Sequence, residues 1–190
     1  FVALGAAGIA GVVAIVFYAV SADATGEFRL KRIKAWLDPE SHSTDKAFQT
    51  LQALYAIGSG GIWGKGLGQS MQKRGFLPES QNDMIFSVIC EELGLVGALL
   101  IIILFAALIL RGYWIALRAR DRFSTVLAAG LVTQIAVQTF LNLGGVTGLL
   151  PITGASLPFF SYGGTALIIE LAEMGIILAV SRQMKPTKAG

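Results

Sequence analysis

Four carboxylates mark the border between a polar, glycine-rich segment and an apolar one long enough to cross a membrane. The stretch FLPESQNDMIFSVICEELG, residues 76–94, contains them as Glu79, Asp83, Glu91 and Glu92. A charged side chain inside a bilayer is costly, so acids kept at such a border are functional candidates by default. Asp83 has two interpretations: a catalytic carboxylate, or an acid at a helix N-terminus that the helix dipole stabilises by ~0.3 to 1 kcal/mol.

The polar segment before these acids begins with EFRLKRIKAWLDPE, which has the composition of an interfacial helix. Arg29, Arg32 and Trp36 recur at spacings of three and four, and the helix would end before Pro39. Long basic side chains and a tryptophan are typical of the membrane interface. The alternative is that the two arginines contact a phosphate group directly.

A glycine-rich loop follows a short predicted helix at 47–57. Its glycines stand at positions 58, 60, 61, 64, 66 and 68. Backbone N–H groups of such a loop could cradle a phosphate. It is not a Walker A motif, because Lys65 is followed by Gly66 rather than by Ser or Thr. Turn geometry and contact with a lipid phosphate both stay open for this loop.

The composition predicts a membrane protein. The chain has 190 residues, of which 54% are hydrophobic and 14% charged, and its mean hydropathy is +0.67. The net charge of +3 comes from short basic clusters beside apolar spans, which argues against nucleic-acid binding. Cys90 is the single cysteine, which excludes an intrachain disulfide and leaves a zinc site without partners. Phe1 lies inside an apolar run without a methionine or a basic flank, so we expect a fragment of a longer protein.

The predicted fold class is all-α: a polytopic integral membrane bundle of about four transmembrane helices with one large extracytoplasmic loop. The arginine-rich loop RGYWIALRARDR is assigned to the cytoplasm by the positive-inside rule. The predicted segments are a helix at 1–22, an extracytoplasmic loop at 23–83, a helix at 84–110, a cytoplasmic loop at 111–122, a helix at 123–143, an extracytoplasmic re-entrant-type loop at 144–164, a helix at 165–181 and a cytoplasmic tail at 182–190.

Polar side chains occur inside two of the predicted spans. Gln134, Gln138 and Asn142 recur every fourth residue, so they form a stripe that should point into the protein. Interhelical hydrogen bonds from such a stripe add roughly 0.6 to 2 kcal/mol each. Glu170 and Glu173 interrupt the last span at spacing three, and the sequence assigns them no role.

Several stretches together resemble one family. They are LPESQNDMIF with EELG, the upstream QALYAIGSGGIWGKGLG and the downstream LLPITGASLPFFSYGGTAL. They are similar to the SEDS proteins (shape, elongation, division and sporulation), the FtsW, RodA and SpoVE group. The resemblance covers most of the chain. It implies the C-terminal portion, helices seven to ten, of a ten-helix glycosyltransferase of the bacterial cytoplasmic membrane, with its active site facing outside.

The resemblance implies polymerisation of lipid II, a disaccharide peptide on undecaprenyl pyrophosphate, together with a class B penicillin-binding protein. The family's essential aspartate falls on Asp83, followed here by Met84 where Phe is common. As a general base, Asp83 would deprotonate a sugar hydroxyl, and one carboxylate suffices for a single inverting displacement. Glu79 would shape or assist the site. Glu91 and Glu92, two helical turns deeper, would be a buried hydrogen-bonding pair or a regulatory contact.

The pyrophosphate leaving group would need charge neutralisation. The candidate cations on the same side as Asp83 are Lys65, Lys73, Arg74, Arg29 and Arg32. No protein metal site is predicted, but a divalent cation could accompany the pyrophosphate. Two alternatives stay open: a transporter that flips lipid II, and a non-catalytic scaffold that activates the penicillin-binding protein. The chain alone is expected to be inactive.

Overall fold

The computed structural model describes residue 36 and residues 45–70 and 82–184, and this part of the chain is helical, without strands. Its helices are α1 (Asp45–Gly60), α2 (Ile85–Leu117), α3 (Arg122–Val146) and α4 (Gly164–Arg182). By length and composition α2, α3 and α4 could each cross a membrane. The polytopic helical fold is therefore confirmed, while the predicted span at 1–22 lies outside the described residues.

The second helix is longer than the sequence indicated. It ends at Leu117, so most of the predicted cytoplasmic loop at 111–122 is helical instead. The guanidinium groups of Arg111 and Arg118 lie over the Trp114 ring, 4.0 and 4.2 Å from its centroid. This stacking holds both basic side chains on the helix surface, so the charges that indicated a loop are compatible with a continued helix.

A short turn connects α2 to α3, and Asp121 caps the new helix. Its carboxylate accepts hydrogen bonds from the Ser124 backbone N–H at 2.9 Å and from the Ser124 hydroxyl at 2.8 Å. These hydrogen bonds, the backbone one first, lower the pKa of Asp121 below its ordinary value of 3.8. The cap satisfies a backbone donor that the first turn of a helix leaves without a partner.

The spanning helices pack closely through small residues. A Cβ atom on Gly112 of α2 would stand 2.5 Å from Val132 Cγ2 of α3, so the two helices touch where Gly112 lacks a side chain. Small residues at such crossings let helix backbones approach each other in a membrane. The core around this crossing consists of Ile115, Ala116, Ala128, Val132, Ile135, Ile177 and Val180.

Helix α2 is interrupted at Gly94, whose φ of 68° and ψ of −166° are not helical. The segment 61–70, which follows α1, lies against this interruption. Lys65 N–H donates to the Glu91 carbonyl and Gly66 N–H to the Glu92 carbonyl, both at 3.0 Å. In return, Leu95 and Val96 N–H donate to the carbonyls of residues 61 and 62. The segment thus supplies the hydrogen bonds that the broken helix needs within a membrane protein.

The predicted re-entrant-type loop is irregular from residue 147 to residue 163, between α3 and α4. Its centre is anchored, because Leu157 and Pro158 are buried. Phe159 adopts a φ of 65°, which is uncommon for a large side chain. Its N–H donates to Glu170 Oε2 of α4 at 2.8 Å, and this bond holds the strained backbone in place.

Candidate functional site

Asp83 lies immediately before α2, outside the helix. The N-cap position is Met84, and no side chain caps this helix end. The half-buried Asp83 side chain faces an open cleft whose other walls are the end of α3 and the irregular loop. The cleft is lined by Asp83, Met84, Leu141, Asn142, Gly145, Val146, Ile152, Thr153, Gly154 and Ala155. Three separate parts of the chain therefore meet at this carboxylate.

Asn142 of α3 joins the three parts of the chain that line the cleft. Its side-chain Nδ2 donates to the Asp83 carbonyl and to the Ala155 carbonyl, each at 2.7 Å. The Asn142 side chain is 97% buried, since only 3% of it is exposed. Both bonds are made away from water, so breaking them would leave carbonyl groups unsatisfied. Asn142 thus sets the distance between Asp83 and the loop across the cleft.

A serine makes a second link between the same segments. The Ser161 hydroxyl donates to the Asn82 carbonyl at 2.7 Å and accepts from the Leu157 N–H at 2.7 Å. The residue before Asp83 is therefore tied to the irregular loop, as Asp83 itself is tied to α3. The backbone on which the Asp83 carboxylate stands is therefore held from two sides.

The polar stripe of α3 faces α4 and the irregular loop, as predicted, although Gln134 itself is exposed. Gln134 Nε2 donates to Glu173 Oε1 at 2.8 Å, and Gln138 Nε2 reaches Glu170 Oε1 at 3.3 Å. Gln138 also donates to the Ser156 hydroxyl at 3.0 Å. The two glutamates that the sequence left without a role thus connect α4 to α3 and to the irregular loop. Their hydrogen bonds are the interhelical contacts expected of buried acids in a membrane bundle.

Glu91 is the centre of a further buried network. Its side chain has no exposed surface, and it forms an ion pair with Lys65, whose Nζ is 2.7 Å from Glu91 Oε1. The hydroxyls of Ser59 and Ser70 also donate to this carboxylate. Glu91 and Glu92 are predicted to be a buried hydrogen-bonding pair or a regulatory contact. The structure shows Glu91 buried and hydrogen-bonded to residues of α1 and of segment 61–70, whereas Glu92 is only half-buried. A regulatory contact stays a prediction.

Close backbone contact with α2 explains two glycines, Gly60 at the end of α1 and Gly64 in segment 61–70. A Cβ atom on Gly60 would lie 2.0 Å from the Cys90 carbonyl oxygen, and one on Gly64 would lie 2.2 Å from the Glu92 carbonyl oxygen. These two glycines are required by contact with α2. Turn geometry and contact with a lipid phosphate are the two interpretations left open for the glycine loop. Positive φ values at Gly61, Gly64, Gly66 and Gly68 support turn geometry, and phosphate contact stays a prediction.

The structure separates the predicted cations. Lys65 does not line the Asp83 cleft. Its ammonium group binds Glu91, which lies eight residues after Asp83 in the chain. Eight residues correspond to about 12 Å along a helix. Contact between Lys65 and a pyrophosphate therefore stays a prediction. The predictions for Glu79, Lys73, Arg74, Arg29 and Arg32 fall on residues outside the part of the chain that the structure describes.

The described residues contain no group of three or more His, Cys, Asp or Glu side chains arranged to hold a metal ion. Asp83 is the single carboxylate in the lining of its cleft. A divalent cation there would have to take most of its ligands from a bound phosphate, so these residues do not form a metal site. Chemically, the cleft offers one positioned carboxylate as a proton acceptor.

Fold and site together define a polytopic helical membrane protein with a preorganised carboxylate in a cleft at the end of its helices. The model of the FtsW/RodA/SpoVE family, described as cell cycle proteins, matches residues 1–186. The chain therefore belongs to the FtsW/RodA/SpoVE family.

Named relatives support this family assignment. The chain is 46% identical over 182 residues to stage V sporulation protein E of Bacillus subtilis, covering 96% of this chain and 48% of that protein. It is 50% identical over 161 residues to the probable peptidoglycan glycosyltransferase FtsW of Geobacter metallireducens, covering 85% and 43%. It is 44% identical over 160 residues to the peptidoglycan glycosyltransferase MrdB of Escherichia coli, covering 84% and 43%. The chain thus spans about half the length of these relatives.

Two solved structures share the fold. One comes from a study of how a peptidoglycan synthase complex coordinates polymerization and crosslinking, with a TM-score of 0.68 and 29% identity over 93% of this chain and 48% of that one. The other is an aspartate-to-alanine mutant of the rod shape determining protein RodA from Thermus thermophilus. Its TM-score is 0.54 and its identity 34%, over 70% of this chain and 40% of that one.

Sequence reasoning missed several residues that hold the site. Ser59 and Ser70 were not singled out, although both bind Glu91, and Ser161 was not connected to Asn82. Their common feature is an isolated hydroxyl within two residues of a glycine. That pattern is too frequent in loops to identify a partner distant in the sequence.

Proposed function

We propose that the protein containing this chain is a peptidoglycan glycosyltransferase that polymerises lipid II, with Asp83 as the general base. The observation that carries the proposal is the position of Asp83 in a cleft where α3 and the irregular loop fix its backbone. Relatives named as peptidoglycan glycosyltransferases support the reaction class. Membership of the family supports a location in the bacterial cytoplasmic membrane, and the arginine-rich end of α2 supports an outward-facing Asp83.

In this reaction the sugar 4-hydroxyl of one lipid-linked chain would attack the anomeric carbon of another. Its proton would pass to the Asp83 carboxylate while the new carbon–oxygen bond forms. The bond from the anomeric carbon to undecaprenyl pyrophosphate would break, and that electron pair would leave with the phosphate. A single displacement inverts the anomeric configuration, so one carboxylate is enough. A positioned base typically contributes about 10² to 10⁴-fold to such a rate.

The leaving pyrophosphate carries negative charge but needs no proton. Cations must therefore neutralise it, which is the role proposed for Lys65, Lys73, Arg74, Arg29 and Arg32. A divalent cation carried by the pyrophosphate would serve the same purpose. Glu79, close to Asp83 in the chain, would shape or assist the site.

A class B penicillin-binding protein is the proposed partner. One structural relative comes from work on a complex that couples polymerization to crosslinking, which supports an assembly of this kind. The strands that Asp83 helps to form would then be crosslinked by the partner. Lipid II and the surrounding membrane lipid complete the proposed set of interactions.

The test replaces Asp83 by Asn in the full-length protein and measures lipid II polymerisation in detergent. Asn keeps the shape of the side chain and removes its basicity, so we expect a loss of at least about 10²-fold. The matched control is Asp121→Asn, which changes an exposed carboxylate at the far end of α2. Near-normal polymer from folded Asp83→Asn protein would refute the proposal.

The same assay distinguishes the alternatives. Polymer formed by purified protein in detergent, where the membrane has no sides, cannot be explained by a lipid II transporter. If the protein were a non-catalytic scaffold, activity would disappear with the partner's active site and not with Asp83. The described glutamates of α4 favour neither alternative, because Glu170 and Glu173 bind α3 and the irregular loop.

A further inference from the structure

The glycine-rich segment 61–70 exposes three large apolar side chains that the proposed reaction does not use. Ile62 is 60% exposed, Trp63 82% and Leu67 77%. Exposed apolar side chains grouped on one short segment mark an interaction surface rather than ordinary surface composition. We call this set the apolar tip of the segment. The question is what it contacts.

The position of the tip along α2 is fixed. Four backbone hydrogen bonds join the segment to α2 on both sides of Gly94, including Leu95 N–H to the Gly61 carbonyl at 2.9 Å. The segment therefore cannot swing away from the level of Gly94. From Leu93 to Leu110 the helix is uncharged and apolar. That length is about 27 Å, close to the ~30 Å thickness of a hydrocarbon core. Gly94 and the tip thus lie at one border of the membrane.

The apolar tip is continuous with the side of α2 that the described helices leave uncovered. Leu95, Val96 and Leu99 are each about half exposed and begin directly after the Gly94 interruption. They recur at the spacing of one helix face, which continues toward Ile103 in the middle of the span. An apolar helix face of this kind is suited to contact with lipid, and the tip lies at the end of that face.

Segment 61–70 also brings no unpaired charge into contact with lipid. Lys65 is the single charged residue between positions 61 and 70. Its ammonium group is bound to the buried Glu91 carboxylate, so it is neutralised on the side that faces α2. The backbone groups on that side are satisfied by α2 as well. A segment whose inner backbone groups are satisfied in this way can lie at the membrane interface, where its outer polar groups, including the exposed Gln69 side chain, reach water.

We propose that the apolar tip of segment 61–70 inserts into the lipid interface at the membrane border where α2 begins its apolar run. Trp63 takes the position of an interfacial anchor, with Ile62 and Leu67 beside it among the upper acyl chains. The ligand is the lipid surface itself, through its apolar boundary and not through a specific headgroup. The proposal depends on the membrane fold and not on the proposed glycosyltransferase activity.

The experiment places a nitroxide spin label at Trp63→Cys and, separately, at Leu67→Cys in the full-length protein reconstituted into liposomes. Accessible native cysteines are first replaced. Collision of the label with oxygen, which concentrates in lipid, is compared with collision with a water-soluble nickel chelate. Ile103→Cys on the lipid-facing side of α2 is the lipid reference, and Arg120→Cys in the turn before α3 is the aqueous reference.

We expect both tip labels to favour oxygen over nickel, with a ratio between those of the two references and above that of Arg120→Cys. Labels that match the aqueous reference would overturn the proposal. Labels shielded from both reagents would also overturn it, since they would show a protein partner on the tip. Two labelled positions guard against one substitution disturbing the fold, and an unchanged melting temperature of each labelled protein confirms that it is intact.

Discussion

The side chain of Asn142 donates one hydrogen bond to the carbonyl of Asp83 and a second to the carbonyl of Ala155, both at 2.7 Å. A residue near the end of α3 therefore holds the candidate base and the opposite wall of its cleft at once. The geometry of the site depends on this amide as much as on the sequence around Asp83.

Asn142→Ala should lower the rate of polymerisation by roughly tenfold or more. Misplacing Asp83 would raise the activation free energy, and an increase of about 1.4 kcal/mol corresponds to a factor of ten in rate. Two carbonyls would lose their donor, which adds a stability cost of about 1 to 3 kcal/mol. Steady-state kinetics with lipid II would show a fall in kcat. Gln134→Ala, which removes a contact deeper in α3, is the control and should leave kcat nearly unchanged. Equal kcat values for the two variants would contradict the positioning role.

Lys65→Met should destabilise the protein strongly, by about 3 to 5 kcal/mol, because it leaves the buried Glu91 carboxylate without its countercharge. Adding Glu91→Gln should restore part of that loss, since a neutral amide can still bind the Ser59 and Ser70 hydroxyls. Thermal unfolding of both single variants and of the double variant forms a double-mutant cycle. Simple additivity of the two changes would show that the ion pair does not hold segment 61–70 on α2.

Gly94→Ala should prevent the segment from closing on α2. The φ of 68° is unfavourable for alanine, and the new Cβ would stand 2.4 Å from the Gly64 nitrogen. Gly130→Ala is the matched control, since Gly130 lies in α3 with no atom within 4 Å of its added Cβ. That substitution should be neutral or stabilise the helix by up to ~1 kcal/mol. Melting temperatures in detergent would compare the two, and a Gly94→Ala protein as stable as Gly130→Ala would contradict the required conformation.

Asp121 should contribute a pH-dependent part of the stability of α3. Its pKa is lowered in the folded protein from 3.8, chiefly by the Ser124 backbone hydrogen bond. The stabilisation is therefore complete above the unfolded pKa and is lost as the pH falls through the lower folded value. Asp121→Ala should reduce the melting temperature at neutral pH, and the difference from wild type should shrink below about pH 3.8.

Asp121→Asn provides the control for that titration. The amide oxygen still accepts from Ser124 but does not titrate in this range. Its melting temperature should stay close to wild type at neutral pH. A difference between wild type and Asp121→Ala that does not change from pH 6 to pH 3 would rule out the carboxylate cap as its source.

The sequence by itself determined the membrane class, the approximate spans of α2, α3 and α4, and the family. Composition and apolar length carry that information, because the cost of placing charge or unpaired backbone in lipid leaves few alternatives. The inward direction of the polar stripe on α3 followed from helical spacing alone. The end of α2 did not, because the stacking of Arg111 and Arg118 on Trp114 cannot be distinguished by composition from a basic loop.

Only the tertiary structure decided which groups meet. The Glu91–Lys65 pair joins residues 26 positions apart, and the Asn142–Asp83 contact joins residues 59 positions apart. Hydrogen bonds over such separations depend on how helices cross and where α2 is interrupted, and no local pattern encodes that geometry. The same packing turned Lys65 toward Glu91 and left Trp63 outside, so the glycine-rich segment is explained by contact with α2 and by the surface it exposes.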